Sequence, residues 1–304
     1  RVGGSEVFVT EACEYTNSFL HFFPKVGIIL NIDADHLDFF KDLDDIRSSF
    51  RRFAALLPED GALIINGAIP NLSEITAGLS CRVITYGNDR SFQYSSSDIS
   101  HNEKGEASFD LYREGEYAER ILLSVNGDHN VSNALAAIAA AELLGVSPEA
   151  VREGLKDFHG TDRRFEYKGD MNGVTVIDDY AHHPTEIRVS LAAAHDYPHR
   201  EIWCIFQPHT YTRTKALFRE FADALTAADH IILADIYAAR ETDTLGISSA
   251  DLAAALKDKG CDVYYYPTFR EIEDFCMENC QKRDLLITMG AGDVVNIGEE
   301  LLKR

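Results

Sequence analysis

Short apolar runs alternate with amphipathic stretches along almost the whole chain, and this rhythm restricts the possible folds more than any other feature. Runs such as Val26–Ile32 and Ala62–Asn66 have the length of buried strands, and Leu43–Leu57 between them has helical spacing. The order strand, helix, strand predicts a mostly parallel sheet with helices on both faces. The predicted strands of the first half are Val7–Thr10, Val26–Ile32, Ala62–Asn66 and Arg82–Tyr86.

The pattern changes between residues 92 and 125, where apolar and polar residues alternate singly around Gly105 and Gly115. Such alternation around turn-forming glycines predicts antiparallel hairpins added to the parallel sheet. Two helices, Val131–Leu144 and Pro148–Phe158, are predicted to follow.

A polar, turn-like segment, His159–Arg164, separates this half from a second series of strands and helices. We therefore predict an α/β protein of two domains, 1–160 and 161–304, each a mostly parallel sheet flanked by helices. The second domain is expected to be doubly wound and Rossmann-like. Its predicted elements are a hairpin at Phe165–Tyr180, strands at Glu201–Phe206, His230–Ala234, Asp262–Tyr266 and Asp284–Thr288, and helices at Pro184–His195 and Val294–Lys303.

Composition restricts the possible ligands and the compartment. The net charge is −21, which argues against binding to nucleic acid or to an anionic membrane through the overall field. Phosphate-bearing ligands must then be held locally, by helix N-termini, single arginines or a metal ion. No apolar run reaches the ~18 residues of a membrane helix, and no signal peptide opens the chain, so we predict a cytoplasmic protein. Cys276 and Cys280 could form a redox or metal pair, although reduced, buried thiols are favoured.

Carboxylates cluster at the ends of two predicted strands of the first half. Glu11 and Glu14 end the first strand, and the segment NIDADHLD places three carboxylates around His36. Carboxylates at the carboxyl end of a parallel strand suit Mg²⁺, whereas an imidazole is a more usual ligand for zinc. Alternatively, Glu11 and Glu14 could be a solvated pair that caps the following helix. The acidic residues around His36 could likewise cap a helix and leave the histidine solvated.

Two further motifs could contact a nucleotide. His129, Asn130 and Asn133 begin the predicted Ala-rich helix, where amides could pair with a purine edge or simply cap the helix. Arg163 and Arg164 at the domain boundary could clamp phosphates, or could belong to a solvated face.

The segment IDDYAHHPTE is the densest in reactive side chains, with Asp178, Asp179, Tyr180, His182 and His183 at the end of a strand. This density favours a functional role over a structural one. The segment FQPHTYTRTKALF follows another strand in the same way, and TMGAGDVV is a glycine-rich turn that either cradles phosphate or packs tightly. No phosphate-loop motif G-x-x-G-K-T occurs in the chain.

The order of these motifs resembles that of the Mur ligases over essentially the whole chain. The resemblance rests on E-A-x-E, N-I-x-x-D-H-x-D, H-N-x-x-N-A-x-A-A, R-R-F, D-D-Y-x-H-H-P-T-E, F-Q-P-H-x-Y-T-R-T and G-A-G-D, in that order. Within this family, the branch that joins L-alanine to UDP-N-acetylmuramate is the most similar. The chain begins at Arg1, and we expect it to lack the family's UDP-binding domain and the phosphate loop of the central ATP-binding domain.

The resemblance implies an ATP-dependent ligase of peptidoglycan precursor synthesis. ATP would phosphorylate the lactyl carboxylate of the sugar nucleotide, and the amine of L-alanine would attack the acyl phosphate. It also implies that Glu11 and His36 hold Mg²⁺ and that Asn133, with His129 and Asn130, meets the adenine. The residues implied to face phosphates, acceptor and amino acid are Arg164, Asp179, Tyr180, His182, His209 and Arg213.

Two departures from the family pattern bear on the branch. Thr210 stands where relatives often carry arginine, so Arg213 is expected to make the charged substrate contact alone. The stretch Asp42–Asp60 contains no lysine, so the carbamylated lysine of several sister ligases is not expected, which favours the alanine-adding branch.

Two other hypotheses remain open. A recycling ligase that attaches a preformed tripeptide to the same sugar nucleotide shares the D-D-aromatic-x-H-H-P-T element. Alternatively, residues 1–304 alone are a non-catalytic two-domain remnant, and we expect them to have negligible ligase activity. An exposed edge of the first sheet could then pair with a second copy in a homodimer.

Overall fold

The first sheet has six strands in chain order, β1-β2-β3-β4-β5-β6. A computed structural model describes residue 4 and residues 6–36 and 39–304, so Asp38 of the acidic motif lies outside the described residues. The strands are β1 Val26–Ile29, β2 Ala62–Asn66, β3 Arg82–Gly87, β4 Tyr94–His101, β5 Glu106–Arg113 and β6 Glu116–Asn126. β1 to β4 pair in parallel. The short turns at 102–105 and 114–115 allow only antiparallel neighbours, which confirms the predicted hairpins.

Helices follow the strands of this sheet as the sequence rhythm predicts. They are α1 Leu43–Ala54, α2 Leu72–Thr76, α3 Asp128–Leu143 and α4 Pro148–Lys156, with a 3-10 helix at Tyr15–His21. α1 begins at Asp42, whose side chain accepts a hydrogen bond from the Asp45 backbone amide. Its apolar face packs on the sheet, where Phe53 stacks on Phe19 with ring centroids 4.8 Å apart.

The predicted strand Val7–Thr10 was wrong, because these residues form no strand. Phe8 and Val9 are more than four-fifths exposed. β-branched and aromatic residues favour a strand only where their side chains pack on a sheet. Phe8 and Val9 are not buried, so no such packing stabilises a strand here.

The second sheet has the order β11-β10-β9-β12-β8-β7, in which only β7 is antiparallel to its neighbour. Its strands are β7 Glu166–Met171, β8 Val174–Asp179, β9 Ile202–Phe206, β10 His230–Leu233, β11 Asp262–Tyr265 and β12 Leu285–Met289. Its helices are α5 Pro184–Asp196, α6 Tyr211–Ala216, α7 Phe218–Leu225, α8 Ser249–Asp258, α9 Phe269–Asn279 and α10 Val295–Leu301.

Helices cover both faces of the second sheet. Leu191 of α5, Phe221 of α7 and Leu252 of α8 are buried on one face. Ile272 of α9 and Ile297 of α10 are buried on the other. Two covered faces explain why these strands are almost wholly apolar, and the predicted doubly wound, Rossmann-like arrangement is confirmed.

The described chain divides into two compact units. One comprises Arg1–Asp98, Phe109–Ile121 and Val131–Arg152, and the other comprises Ile99–Ser108, Leu122–Asn130 and Glu153–Arg304. The domain boundary expected near residue 160 stays a prediction.

Candidate functional site

The carboxyl ends of β8, β9 and β12 lie at one level in the second sheet. Asp179 of β8 is in register with Met289 of β12, which is in register with Phe206 of β9. The loops that follow these strands therefore begin side by side, at the edge where open α/β sheets bind their ligands. This register brings together the three polar segments that the sequence indicates as functional.

Arg163 links two of these loops. Its Nε lies 2.9 Å from Oδ2 of Asp178, and its Nη2 donates to the Gly290 carbonyl at 2.8 Å. Asp178 is fully buried and also accepts a 2.7 Å hydrogen bond from the Thr288 hydroxyl. Burial raises the pKa of Asp178, although the hydrogen bonds from Arg163 and Thr288 oppose the rise. Arg163 thus has the task of holding β8 against the turn after β12.

Asp179 shapes the turn after β8 through the backbone. Its carboxylate accepts hydrogen bonds from the amides of Phe165, at 2.9 Å, and Ala181, at 2.7 Å. Only 4% of the residue is exposed, and burial raises its pKa. Asp179 therefore stabilises the backbone of the turn that carries Tyr180 and His182.

His182 follows this turn and lies just before the N-cap residue of the well-capped helix α5, His183. Its Nδ1 lies 2.9 Å from the Tyr180 carbonyl and 3.3 Å from Oε2 of Glu186. Because both partners are acceptors, we assign a ring proton to Nδ1. Glu186 also accepts from the amides of His182 and His183, and completes a capping box at the start of α5.

Arg164 lies beside the same carboxylate but is far more exposed than Arg163. Its Nη1 is 3.3 Å from Oε1 of Glu186, and about half of its side chain is exposed. Both guanidinium groups approach the Tyr180 ring, Arg163 to 4.8 Å and Arg164 to 5.6 Å. Burial would raise the pKa of Glu186, but the nearby His182 and Arg164 and its hydrogen bonds lower it.

His209 and Arg213 complete a cluster with His182. The rings of His182 and His209 are 5.7 Å apart, and Nη1 of Arg213 lies 3.4 Å from Nδ1 of His209. Burial, with the neighbouring His182 and Arg213, lowers the pKa of His209 to about 4. His209 is therefore neutral at pH 7, and its Nδ1 faces a donor.

The glycine-rich turn after β12 packs against two residues that the sequence analysis missed. A Cβ at Gly292 would lie 2.3 Å from Oε1 of Gln207 and 2.7 Å from Cγ of Tyr237. Tyr237 in turn stacks on His209, with ring centroids 5.7 Å apart. Close approach explains this glycine, and the sequence position of Gln207 within FQPH was the only signal that could have revealed its role.

The proposed metal ligands of the first unit lie around His36. Its Nε2 is 3.6 Å from Oε1 of Glu14 and 3.9 Å from Oδ2 of Asp35, and its ring stacks on Tyr15. The described contacts bring Glu14, rather than the exposed Glu11, to this histidine. The two carboxylates suit a divalent cation with oxygen ligands, and the imidazole is a borderline donor for it.

The three residues expected to contact adenine, His129, Asn130 and Asn133, have different surroundings. Asn130 donates from Nδ2 to the Asn126 carbonyl at 2.8 Å, as a helix-terminal amide does. Burial lowers the pKa of His129, which favours its neutral form. Asn133 is exposed on α3 and is the residue of the three that a ligand could reach most easily.

One further group of potential metal ligands occurs within residues 4, 6–36 and 39–304. His101 pairs with Asp128 at 3.0 Å and with Asp196 at 3.7 Å. Both aspartates are exposed, and pairing of a histidine with two such carboxylates is typical of a surface ion-pair network.

This fold and site define an α/β protein with a ligand-binding type of polar cluster at the carboxyl edge of a doubly wound sheet. The chain belongs to the Mur ligase family: residues 2–141 match the Mur ligase middle domain, and residues 163–292 match the Mur ligase glutamate ligase domain.

Known relatives match the chain over its whole length. UDP-N-acetylmuramate–L-alanine ligase of Agathobacter rectalis is 57% identical over 304 residues, which are all of this chain and 66% of the relative. The enzyme of the same name from Lachnoclostridium phytofermentans is 52% identical and is covered to 67%. The crystal structure of the UDP-N-acetylmuramate–alanine ligase of Thermotoga maritima superposes with a TM-score of 0.76 at 28% identity, over 95% of this chain and 61% of that one.

The chain thus spans about two thirds of the length of the curated relatives it matches. Among the helices of the described residues, none has the length and apolar character that crossing a bilayer requires.

Proposed function

We propose that the protein is an ATP-dependent amide ligase that joins L-alanine to UDP-N-acetylmuramate in the cytoplasm. The observation that carries this proposal is the 57% identity, over all 304 residues, to a relative named for that reaction. The cluster of His182, His209 and Arg213 supports it, because such a cluster can bind an amino acid.

Each side chain of this cluster has a task in binding L-alanine. Arg213 is suited to the carboxylate of the amino acid, since a guanidinium pairs with carboxylates in a bidentate manner. His182 lies beside His209 and completes the cluster. His209 supports Arg213 without adding a positive charge, because it is neutral at pH 7. These contacts orient the amine for attack and need no covalent intermediate on the protein.

Mg²⁺ and the nucleotide have separate sets of proposed ligands. We assign the metal to His36 and Glu11, with Glu14 as an added ligand because it lies beside His36. When bound, the metal neutralises charge on the transferring phosphoryl group. Arg164 is exposed enough to contact phosphates, and Asn133 to contact adenine. Asp179 and Tyr180 complete the nucleotide side, with Asp179 acting through the backbone.

The test is ADP release by the full-length protein with UDP-N-acetylmuramate, ATP and Mg²⁺, with and without L-alanine. We expect alanine-dependent release that Glu11→Ala and His36→Ala each reduce at least about a hundredfold, as expected for loss of electrostatic stabilisation. Glu59→Gln, at an exposed turn, is the matched control and should retain full activity. Alanine-independent kinetics would contradict the proposal.

The recycling ligase is the second candidate, favoured by the shared D-D-Y-x-H-H-P-T element. Replacing L-alanine with the tripeptide in the same assay separates the two activities. Release with the tripeptide alone would move the protein to that branch. We also propose that residues 1–304 by themselves have negligible activity, which alanine-dependent ADP release by this polypeptide would refute.

A further inference from the structure

The loop after β10, residues 234–248, is tied to the loop that carries His209. The Tyr237 amide donates to the Pro208 carbonyl at 2.9 Å, and the Thr210 amide donates to the Tyr237 carbonyl at 2.9 Å. These bonds form an isolated parallel bridge between His209 and Tyr237. The position of His209 therefore depends on a segment that lies beyond β10 in the chain.

Glu241, in the middle of this loop, binds the first turn of helix α6. Its Oε2 accepts hydrogen bonds from the amides of Tyr211, at 2.5 Å, and Thr212, at 3.1 Å. Its Oε1 accepts from the Thr212 hydroxyl. One carboxylate thus accepts three hydrogen bonds from the first turn of the helix that carries Arg213, and charge-assisted bonds of this kind are among the stronger ones.

The backbone that Glu241 holds is strained. Thr210, the residue before α6, has φ +64° and ψ 145°, a conformation that is costly for a β-branched side chain. Such a conformation persists only where the surroundings hold it. Here the bridge to Tyr237 holds the amide of Thr210, and Glu241 holds the next two residues.

We propose that Glu241 is a positioning residue that sets the orientation of His209 and Arg213 toward the amino-acid substrate. The inference rests on the proposed function, because it takes L-alanine as the ligand of this cluster. Without the carboxylate, the amides of Tyr211 and Thr212 lose their acceptor while Thr210 remains strained. The turn would then relax, and Arg213 would move away from the position that matches the substrate carboxylate.

Two substitutions separate geometry from charge. In Glu241→Gln, the amide oxygen can still accept from Tyr211 and Thr212, and the amide nitrogen can donate to the Thr212 hydroxyl. In Glu241→Ala, all three contacts are lost. A residue that acts by position should tolerate glutamine, whereas one that acts by its negative charge should not.

The experiment measures kcat and KM for each substrate in the full-length protein. For Glu241→Ala we expect KM for L-alanine to rise at least about tenfold, since small misplacements of a binding group have large effects. KM for ATP should stay within about twofold of wild type, because the side-chain hydrogen bonds of Glu241 go to Tyr211 and Thr212 and not to the residues assigned to the nucleotide. Glu241→Gln should keep KM for L-alanine within about threefold of wild type. Asp243→Ala is the matched control, since Asp243 caps Leu245 in the same loop, and it should leave all constants unchanged.

Each outcome decides the inference separately from the proposed function. A KM for L-alanine that Glu241→Ala leaves unchanged, in an enzyme that uses L-alanine, would overturn the positioning role alone. Equal losses in the alanine and glutamine variants would also overturn it, in favour of a charge effect. A fall in kcat with every KM unchanged would indicate loss of folded enzyme, which circular dichroism of the variant would reveal, and would count against a specific role. Wild-type protein that does not use L-alanine would refute the proposed function itself.

Discussion

At the scale of single residues, the candidate site depends on histidines whose protonation is set by their neighbours. His182 has acceptors at Nδ1, whereas His209 has the guanidinium of Arg213 there. His182 is therefore expected to carry a proton on Nδ1, whereas the neutral His209 carries its proton on Nε2. This difference allows Nδ1 of His209 to accept a hydrogen bond from the arginine.

His209 should make stability depend on pH. Its pKa is about 4 in the folded protein and 6.5 in the unfolded chain, so between these values the unfolded state binds more protons. Its contribution to stability is therefore complete above pH 6.5 and is lost as the pH falls toward 4. His209→Gln should remove this loss. Urea denaturation from pH 7.5 to 4 checks it, and stability curves of variant and wild type that run parallel would contradict it.

Neighbouring residues of one type can differ in task, and the sequence alone does not separate them. Arg163 and Arg164 are equivalent in the motif R-R-F, as a phosphate clamp or as a solvated face. The structure places Arg163 against the buried Asp178 and leaves Arg164 about half exposed. Only Arg164 keeps the exposure that a phosphate contact needs.

At the scale of secondary-structure elements, the site depends on how β8, β12 and their loops are joined. Arg163 donates to Asp178 at the end of β8 and to the carbonyls of Gly290 and Gly292 after β12. These bonds fix the turn against which Gln207 and Tyr237 pack.

Substituting the two arginines should affect stability very differently. Arg163→Met leaves the buried carboxylate of Asp178 without its charged partner and should destabilise the protein by about 3 kcal/mol. The matched variant Arg164→Met removes an exposed ion pair with Glu186 and should cost less than about 1 kcal/mol. Urea denaturation at pH 7.5 measures both. Similar losses in the two variants would show that Arg163 does not join these elements.

At the scale of the whole molecule, the dominant feature is the net charge of −21. Like charges repel one another in the compact state, and salt screens this repulsion. The arginine and lysine residues near the site must therefore attract anionic ligands through local geometry against an unfavourable overall field.

Stability should accordingly rise with ionic strength. We expect the melting temperature to increase as NaCl is raised from about 0.01 M to about 0.15 M, where the Debye length falls to roughly 8 Å. Replacing the exposed acids Glu59, Glu103 and Glu116 with glutamine should reduce this dependence, because it removes part of the repulsion. Differential scanning fluorimetry checks both expectations. A melting temperature that falls with salt would mean that surface ion pairs outweigh the repulsion.

The sequence by itself determined the class of the molecule and most of its elements. Periodicity was sufficient for the two sheets, because strands covered on both faces must be apolar and helices between them must be amphipathic. It was also sufficient for the hairpins around Gly105 and Gly115 and for the candidate residues at strand ends. It failed at Val7–Thr10, because propensity alone does not show whether a sheet face is there to bury an apolar segment.

Only the tertiary structure decided which of these residues meet and what each one does. Register between β8, β9 and β12 brings His182 to His209, and the loop after β10 brings Glu241 to the start of α6. Asp179 is buried and its carboxylate binds backbone amides, and burial lowers the pKa of His209. The physical reason is that pairing, desolvation and strain depend on distances between segments far apart in the chain, and local periodicity carries no information about those distances.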